Sequence, residues 1–392
     1  MRSGRVRSVA CLLVLFLVGQ AAHCPFAHAV ALKLIHTVPL KVSPRLWLQV
    51  GEFRRVYRIH LPASYDGTHP IPLVLVFHGR LQTAEDIAAI TRFSELADRA
   101  GFIVAYPSGI KDHWNDGRSP FPIWGARNYD DVGFVRSLIR HLKQELAVDP
   151  DRVYATGMSN GAMFVQRLAC ELSDQLAAIG PVDGTLPDLI AQSCAPSQPV
   201  SVIEFHGTRD AYVHWEGGAV RALGGRTLSV PDTIAHWQRV AACSHDSTIV
   251  SHLPHRDADD PTQVWQASTS DCQAGRAVVL YAVEGGGHTW PGGPDDHSLP
   301  FLGRVTSDVS ATEAIWAFFA QHPKPTGIAE SPQRPADRVQ EHIDVLRVMW
   351  TNDAALPPLS DYDDPDIFWT SPFVALEDFI RGYQLFKTSE RP

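Results

Sequence analysis

The sequence predicts an α/β protein built on a largely parallel sheet with crossover helices. Short runs rich in Val and Ile alternate along the chain with segments of helical periodicity, which is the element order of such a sheet. The chain has 392 residues, enough for one large domain. Hydrophobic residues make up 45% of it and charged residues 20%, a composition that supports a sizeable buried core.

The expected elements follow one another in strand–helix order. The strands are expected at Arg55–Leu61, Pro72–His78, Phe102–Tyr106, Arg152–Gly157, Ala177–Val182, Val200–His206 and Ala277–Val283. The helices are expected at Ala84–Ala100, Val132–Ala147, Gly161–Leu172, Asp232–Ala241 and Ala311–Ala320. Thr83 and Asp86 resemble a capping box at the start of the first helix.

The N-terminus has the pattern of a secretory signal peptide over residues 1–29. Three arginines precede the apolar run 9–18, and the small-x-small sequence Ala27-His28-Ala29 follows it. The run is short for a membrane span, although a retained anchor is the alternative. Cys24 suggests lipoprotein processing, but His23 directly before it is a poor match to the lipobox sequence that such processing requires. We therefore expect a secreted protein, extracellular or periplasmic, with no membrane attachment after cleavage behind Ala29.

The rest of the chain divides into three parts. Residues 30–322 carry the alternating pattern and form the expected main domain. Residues 323–336 are rich in Pro, Ser and Gln and are expected to be a linker. Residues 337–392 form a C-terminal extension that begins with a helical apolar stripe, and the sequence indicates no role for it. The sequence also does not indicate an oligomeric state.

The charge of the chain limits its partners. The formal net charge is −9, and cleavage of the arginine-containing signal would make the protein more acidic still. No basic run of the kind that binds nucleic acid or anionic lipid is present. We therefore expect no nucleic-acid partner and a neutral or mildly polar substrate.

Four cysteines remain after cleavage: Cys170, Cys194, Cys243 and Cys272. An even number in an exported chain indicates disulfides, and free thiols are the alternative. The sequence alone does not choose among the three pairings. We favour Cys170–Cys194 and Cys243–Cys272, because neither bond would cross another core element. No Cys-x-x-Cys pair or paired histidine spacing suggests a metal site.

The most informative motif is Gly157-Met158-Ser159-Asn160-Gly161. It lies between an expected strand and an expected helix, where Gly-x-Ser-x-Gly forms a tight turn that exposes the serine hydroxyl. The backbone amide of Asn160, at the start of the helix, would then face developing negative charge. A structural turn is the alternative for the motif taken alone.

A nucleophilic serine needs a base and an orienting acid, and both occur in the expected order. Asp210 follows the strand Val200–His206, and His288 follows the strand Ala277–Val283. Active-site loops gather at these carboxyl ends of strands in open α/β sheets. Each residue alone is as well explained by an ordinary loop role. The order and placement of all three together favour catalysis by Ser159, Asp210 and His288.

The second oxyanion donor should come from the loop after Pro72–His78, in His78-Gly79-Arg80-Leu81. Gly79 allows a close backbone approach, so the amide of Arg80 or of Leu81 is expected to act together with that of Asn160. The sequence does not decide between these two amides. His78 itself is expected to be a structural residue of the turn.

These residues belong to a wider set of motifs. His78-Gly79, Trp114-Asn-Asp, Asp130-Asp-Val-Gly-Phe134, Tyr154–Ala162, His206-Gly-Thr-x-Asp210 and Gly287–Gly293 together resemble the secreted polyhydroxybutyrate depolymerase and feruloyl esterase family. The resemblance covers roughly residues 45–322. It implies an α/β-hydrolase fold with Ser159 as nucleophile, Asp210 as acid and His288 as base. It also supports the Cys243–Cys272 disulfide and implies that Trp290 lines the substrate pocket. Arg80 departs from the small residue that the family often has there.

The function expected from the resemblance is hydrolysis of a small or polymeric ester without any cofactor. The ester would be a feruloyl or acetyl ester of plant polysaccharide, or a hydroxybutyrate polyester. Trp114, Trp124 and Trp215 lie on expected loops and, with Trp290, could stack on sugar or feruloyl rings, core packing being the alternative. A serine peptidase and a non-catalytic binding protein on the same fold are the competing interpretations.

Overall fold

The computed structural model describes residues 45–119, 129–221, 224–244, 247–294 and 302–325. The expected signal peptide and C-terminal extension lie outside these residues, together with nearly all of the expected linker. Within the part of the chain that the structure describes, none of the helices has the length and apolar character needed to cross a membrane.

Strands and helices alternate through the described residues. The strands are β1 (Arg45–Val50), β2 (Phe53–His60), β3 (Ile71–Phe77), β4 (Ile103–Pro107), β5 (Val148–Met158), β6 (Ala178–Val182), β7 (Ser201–Gly207), β8 (Gly218–Ala219), β9 (Arg226–Thr227), β10 (Thr248–His252), β11 (Gln263–Thr269) and β12 (Val278–Glu284). The helices are α1 (Ala84–Thr91), α2 (Phe93–Ala100), α3 (Asp131–Glu145), α4 (Asn160–Glu171), α5 (Asp188–Ser193), α6 (Val230–Val240) and α7 (Ala311–Gln321).

The main sheet has ten strands in the order β1-β2-β4-β3-β5-β6-β7-β12-β11-β10. The strands from β4 to β12 in this order run parallel. Both edges of the sheet are antiparallel. Strands β3 and β6 are buried almost throughout, as expected for a parallel sheet with both faces covered. The α/β class and the mostly parallel sheet predicted from the sequence are therefore confirmed.

Every strand expected from the sequence is present within a few residues, but the edge strands β1, β10 and β11 were not predicted. The expected helix Ala84–Ala100 is wrong, because it is two helices separated at Arg92, whose φ of 53° is left-handed. Thr91 donates its hydroxyl to the carbonyl of Ile87 at 2.7 Å, and Phe93 beyond the break is completely buried. The capping box of Thr83 and Asp86 is confirmed.

Two disulfides link segments that are 24 and 29 residues apart in the chain. Cys170 in α4 bonds to Cys194, directly after α5. Cys243, shortly after α6, bonds to Cys272 in the connection between β11 and β12. These are the short-range pairs that the sequence favoured.

Candidate active site

Ser159 lies in the turn between β5, which ends at Met158, and α4, which begins at Asn160. Its backbone has φ 57° and ψ −121°, a conformation that costs energy for a residue with a side chain. The backbone N–H of Ser159 donates to the carbonyl of Val182 at the end of β6, at 3.0 Å. The turn is therefore held against the neighbouring strand in a strained conformation, as a nucleophile elbow requires.

The glycines on either side of Ser159 are required by close backbone contacts. A Cβ added at Gly157 would lie 2.7 Å from the carbonyl oxygen of Phe77, and one at Gly161 would lie 2.4 Å from the same oxygen. These distances are too short for any side chain. The motif therefore needs glycine at both positions because the turn at Ser159 lies directly against the end of β3.

Asp210 and His288 form a hydrogen-bonded pair. The Nδ1 atom of His288 donates to Oδ2 of Asp210 at 2.7 Å. The other oxygen of Asp210 accepts from the backbone N–H groups of Tyr212, at 2.7 Å, and Val213, at 2.9 Å. Because Nδ1 carries the proton that faces the carboxylate, Nε2 of His288 is the nitrogen left to accept another.

The electrostatics of this pair favour a charged histidine. Burial acts to lower the pKa of His288, but the charge and hydrogen bond of Asp210 outweigh it and raise that pKa above 6.5. Burial likewise acts to raise the pKa of Asp210, yet the charge and hydrogen bond of His288 hold it below its ordinary value. The arrangement therefore stabilises an imidazolium beside a carboxylate, which is the state of the pair after proton transfer.

The loop after β3 is fixed by His78. Its Nε2 accepts the backbone N–H of Gly109 at 2.9 Å, and its Nδ1 donates to the carbonyl of Gly79 at 2.7 Å. Burial lowers the pKa of His78 to about 4, so the ring is neutral near pH 7. These contacts agree with the structural role expected for His78.

The structure distinguishes between the backbone amides of Arg80 and Leu81, the two candidates for the second oxyanion donor. A Cβ added at Gly79 would lie 3.4 Å from Cβ of Ser159, which places the start of the Arg80 peptide beside Ser159. The backbone N–H of Leu81, however, already donates to the carbonyl of Asp112 at 2.9 Å. Leu81 was therefore a wrong candidate for the oxyanion donor. Asn160 is the first residue of α4, and its N–H has no intrahelical acceptor.

The expected substrate contacts of Trp114 and Trp290 are also wrong. Trp114 has no accessible surface: it stacks on Phe164 with ring centroids 5.1 Å apart and donates its indole N–H to the carbonyl of His78 at 3.0 Å. Trp290 is 3% exposed and donates to the hydroxyl of Thr312 at 3.0 Å. Rings with so little accessible surface cannot stack on a substrate, so both side chains support the site from the core.

Among the other aromatic residues, Trp215 is half-buried and Trp124 lies outside the described residues. The ring of half-buried Tyr212 lies 5.2 Å from that of His288, between centroids. Tyr212 is therefore an aromatic neighbour of His288 that the sequence did not single out. Its position two residues after Asp210 was the signal that could have identified it.

The side chain of Asn160 has contacts that the sequence did not suggest. Its Oδ1 accepts the backbone N–H of Trp114 at 2.8 Å, and its Nδ2 donates to Oδ2 of Asp116 at 2.7 Å and to the carbonyl of Trp114 at 3.0 Å. Asp116 also accepts from the inaccessible guanidinium of Arg118 at 2.6 Å. Nearby Arg80 has its pKa lowered to about 10 by burial and by the charge of Arg118.

One set of groups among the described residues has the spacing of metal ligands. Ligand atoms of Asp183, His206 and Asp210 lie within 4.8 Å of one another. Both oxygens of Asp183 accept backbone N–H groups, and Nε2 of His206 donates to the carbonyl of Val213 at 2.8 Å. These atoms are engaged by the chain itself, so the cluster is explained by its hydrogen bonds.

The topology and the turn at Ser159 define the class as an α/β-hydrolase. Residues 56–202 match the family described as Esterase PHB depolymerase. The putative esterase NocK of Nocardia uniformis subsp. tsuyamanensis is 31% identical over 278 residues, which cover 67% of this chain and 78% of that protein. The chain therefore belongs to the Esterase PHB depolymerase family and is a carboxylic ester hydrolase.

Two further relatives are more distant. Feruloyl esterase B of Piromyces equi is 25% identical over 239 residues, which cover 59% of this chain and 42% of that enzyme. The chain thus spans less than half of that enzyme's length. Among solved structures, the acetyl xylan esterase from Aspergillus awamori covers 68% of this chain and is itself covered to 94%, with 15% identity and a TM-score of 0.46.

Proposed function

We propose that the protein hydrolyses carboxylic esters through an acyl-enzyme on Ser159, with His288 as base and Asp210 as acid. The observation that carries the proposal is the 2.7 Å hydrogen bond from His288 Nδ1 to Asp210 Oδ2. Both residues follow strands that are parallel to β5, so their loops and the elbow of Ser159 share one edge of the sheet.

In this mechanism Oγ of Ser159 attacks the ester carbonyl while Nε2 of His288 accepts the hydroxyl proton. The backbone N–H groups of Asn160 and Arg80 hold the resulting oxyanion. His288 then gives its proton to the departing alcohol, which leaves the acyl group on Ser159. Water attacks this ester in the same way and releases the acid, and the serine hydroxyl is restored. Asp210 keeps the imidazole oriented and stabilises its charged form throughout.

For the substrate, we propose a feruloyl or acetyl ester of plant polysaccharide or a hydroxybutyrate polyester. The similarity to feruloyl esterase B supports the first of these classes, and the family description supports the last. Half-buried Tyr212, beside His288, offers an aromatic face for a feruloyl ring. An acidic chain is also suited to neutral esters.

We also propose that the protein is exported, as the N-terminal sequence suggests. The two disulfides support this, because such bonds persist in oxidising compartments. Expression of the full chain followed by N-terminal sequencing of the mature protein tests the proposal. A mature terminus at Val30 is expected, and a purified protein that still begins at residue 1 or 2 would contradict it.

The proposed activity is tested by hydrolysis of methyl ferulate, acetylated xylan and hydroxybutyrate oligomers side by side, with a peptide anilide included. Ser159→Ala is the blank and should lose nearly all activity, by roughly 10⁶-fold where the serine acts as nucleophile. Retention of most hydrolysis of a simple aryl acetate by this variant would exclude the acyl-enzyme. Preference for the anilide would favour a serine peptidase, which would use the same serine.

A further inference from the structure

Asp183 follows β6 directly and is 1% exposed. Its φ is 51°, in the left-handed region that favours glycine. Its backbone N–H donates to the carbonyl of Phe205 in β7 at 2.9 Å. The preceding residue, Val182, accepts the backbone N–H of Ser159 at 3.0 Å. The end of β6 is therefore fixed both to the nucleophile elbow and to the strand that leads to Asp210.

The carboxyl group of Asp183 connects two further loops. Its Oδ1 accepts the backbone N–H of Gly207 at 3.0 Å, and its Oδ2 accepts the backbone N–H of Thr289 at 2.7 Å. Gly207 precedes Asp210 by three residues, and Thr289 directly follows His288. One side chain thus joins the loop of the acid to the loop of the base.

We infer that Asp183 is a positioning residue for the hydrolysis: its carboxyl group holds the Asp210 and His288 loops in register with the Ser159 elbow. The inference rests on the proposed function, because positioning has meaning only if these three residues react together. Both hydrogen bonds of the Asp183 carboxyl group that the structure describes go to backbone N–H groups and not to the side chain of Ser159, Asp210 or His288, so its role is to position these residues.

The identity of the residue supports this role. Both N–H groups need an acceptor, and a carboxyl group is the short side chain that offers two acceptor oxygens, whereas the amide of Asn offers one. Burial and the nearby charge of Asp210 raise the pKa of Asp183, so the charged form of its carboxyl group is unfavourable at this position. The left-handed backbone adds strain that glycine would remove. The raised pKa and the strained backbone both oppose an aspartate at this position. Its presence is therefore expected where its contacts serve the reaction.

The first test is Asp183→Asn, assayed with an aryl acetate. The amide retains one acceptor and turns an NH2 group toward the other N–H, so one of the two loops loses its contact. We expect kcat per active serine to fall roughly 10- to 100-fold with little change in KM, as misplacement of a base by a fraction of an ångström predicts. Titration with a fluorophosphonate counts the active serines, so unfolded protein does not enter kcat.

Asp183→Gly is the second variant. It keeps the inference testable if Asp183→Asn fails to fold. Glycine adopts the left-handed backbone without strain while removing both acceptors. Its kcat should be lower than that of Asp183→Asn. Asp98→Asn is the matched control, since Asp98 also accepts a backbone N–H, that of Ala63 at 3.2 Å, but lies on the exposed surface. Its kcat should equal that of the wild type.

The outcomes separate the inference from the proposed function. A kcat per active serine within about threefold of the wild type in either Asp183 variant would overturn the inference, and so would a change confined to KM. Failure of the fluorophosphonate to label the wild type at Ser159 would overturn the proposed function instead. In a double-mutant cycle with Asp210→Asn, the combined loss should be smaller than the product of the single losses, because both residues act through His288.

Discussion

The site has two sides that are held in place by different contacts. We name them after their proposed roles: the nucleophile side, around Ser159, and the acid–base side, around Asp210 and His288. On the nucleophile side, Gly157 and Gly161 let the elbow approach the end of β3, and the amide of Asn160 ties it to the Trp114 loop. The carboxylate of Asp116, which the Asn160 amide also contacts, is paired with Arg118. On the acid–base side, the carboxyl groups of Asp183 and Asp210 accept hydrogen bonds from the loop and the ring of His288.

The contacts on the nucleophile side fix its geometry, whereas those on the acid–base side also affect the protonation of His288. The nucleophile side depends on steric fit and on hydrogen bonds between groups that keep their protonation state near neutral pH, as the low pKa of His78 illustrates. The acid–base side depends on charge, since burial acts to lower the pKa of His288 and the charge and hydrogen bond of Asp210 outweigh that effect. Substitutions on the two sides should therefore differ in their pH dependence as well as in size.

The largest effect is expected from Asp210→Asn, on the charged side. The amide cannot stabilise the imidazolium of His288 and favours the wrong tautomer, so kcat should fall by about 10³- to 10⁴-fold. The measurement is steady-state hydrolysis of an aryl acetate at pH values where the wild type is most active. Asp98→Asn serves as the control, and retention of a tenth or more of the activity would show that Asp210 is not the acid.

A smaller effect is expected from Asn160→Ala, on the nucleophile side. The substitution leaves the N–H of Trp114 without its acceptor and removes a donor from Asp116, both in a buried setting. We expect kcat to fall about 10²-fold through a displaced oxyanion donor, and the free energy of unfolding to fall by about 2 to 3 kcal/mol.

Asn115→Ala is the matched control for Asn160→Ala. Asn115 donates to the carbonyl of Tyr129 at 3.1 Å from a half-buried position, so its loss should cost about 1 kcal/mol and leave kcat unchanged. Steady-state kinetics and urea unfolding measure both quantities. Equal losses of kcat in the two variants would mean that the Asn160 side chain has no special relation to the oxyanion.

The contrast between the two sides also explains what the sequence could predict. Ser159, Asp210 and His288 were selected because each follows a strand of the parallel sheet in a recognised order. Leu81 was selected for its loop, but only the structure shows that its amide is bound to Asp112. Asp183 was missed because the role inferred for it depends on β6 lying beside β7, and on contacts with two loops distant in sequence.

The edges of the fold were the least predictable part. Strand β10 is exposed at every residue, so burial leaves no alternating pattern in its sequence. Trp114 was assigned to the substrate because it is an aromatic residue on an expected loop near the motifs, and Trp290 also because the family resemblance implied it. Aromatic residues in such positions suit either a pocket or a core. Burial decides between these uses, and burial is a property of the whole fold.

A shift in the pH profile is the next prediction in size. His288 must be neutral to accept a proton, so kcat/KM should fall as the pH decreases through its pKa, which lies above 6.5. Asp210→Asn removes the main cause of that raised pKa, so its acidic limb should move to lower pH. Profiles of kcat/KM between about pH 5 and pH 9 measure the shift. In Asn160→Ala the limb should stay where it is in the wild type, and a common shift in both variants would contradict the division between the two sides.

The smallest effect is expected from Trp290→Phe, and it tests whether the indole supports the nucleophile side and the base loop only through packing. Trp290 contacts Phe93 with ring centroids 6.3 Å apart and donates to the hydroxyl of Thr312. Phenylalanine keeps an aromatic ring but loses volume and the hydrogen bond, so the free energy of unfolding should fall by about 1 to 2 kcal/mol. The KM for methyl ferulate should not change, because the indole has almost no surface for a substrate to contact. Tyr212→Leu provides the contrast, since Tyr212 lies beside His288 and is half-buried. A raised KM in Trp290→Phe with unchanged stability would show that Trp290 contacts the substrate after all.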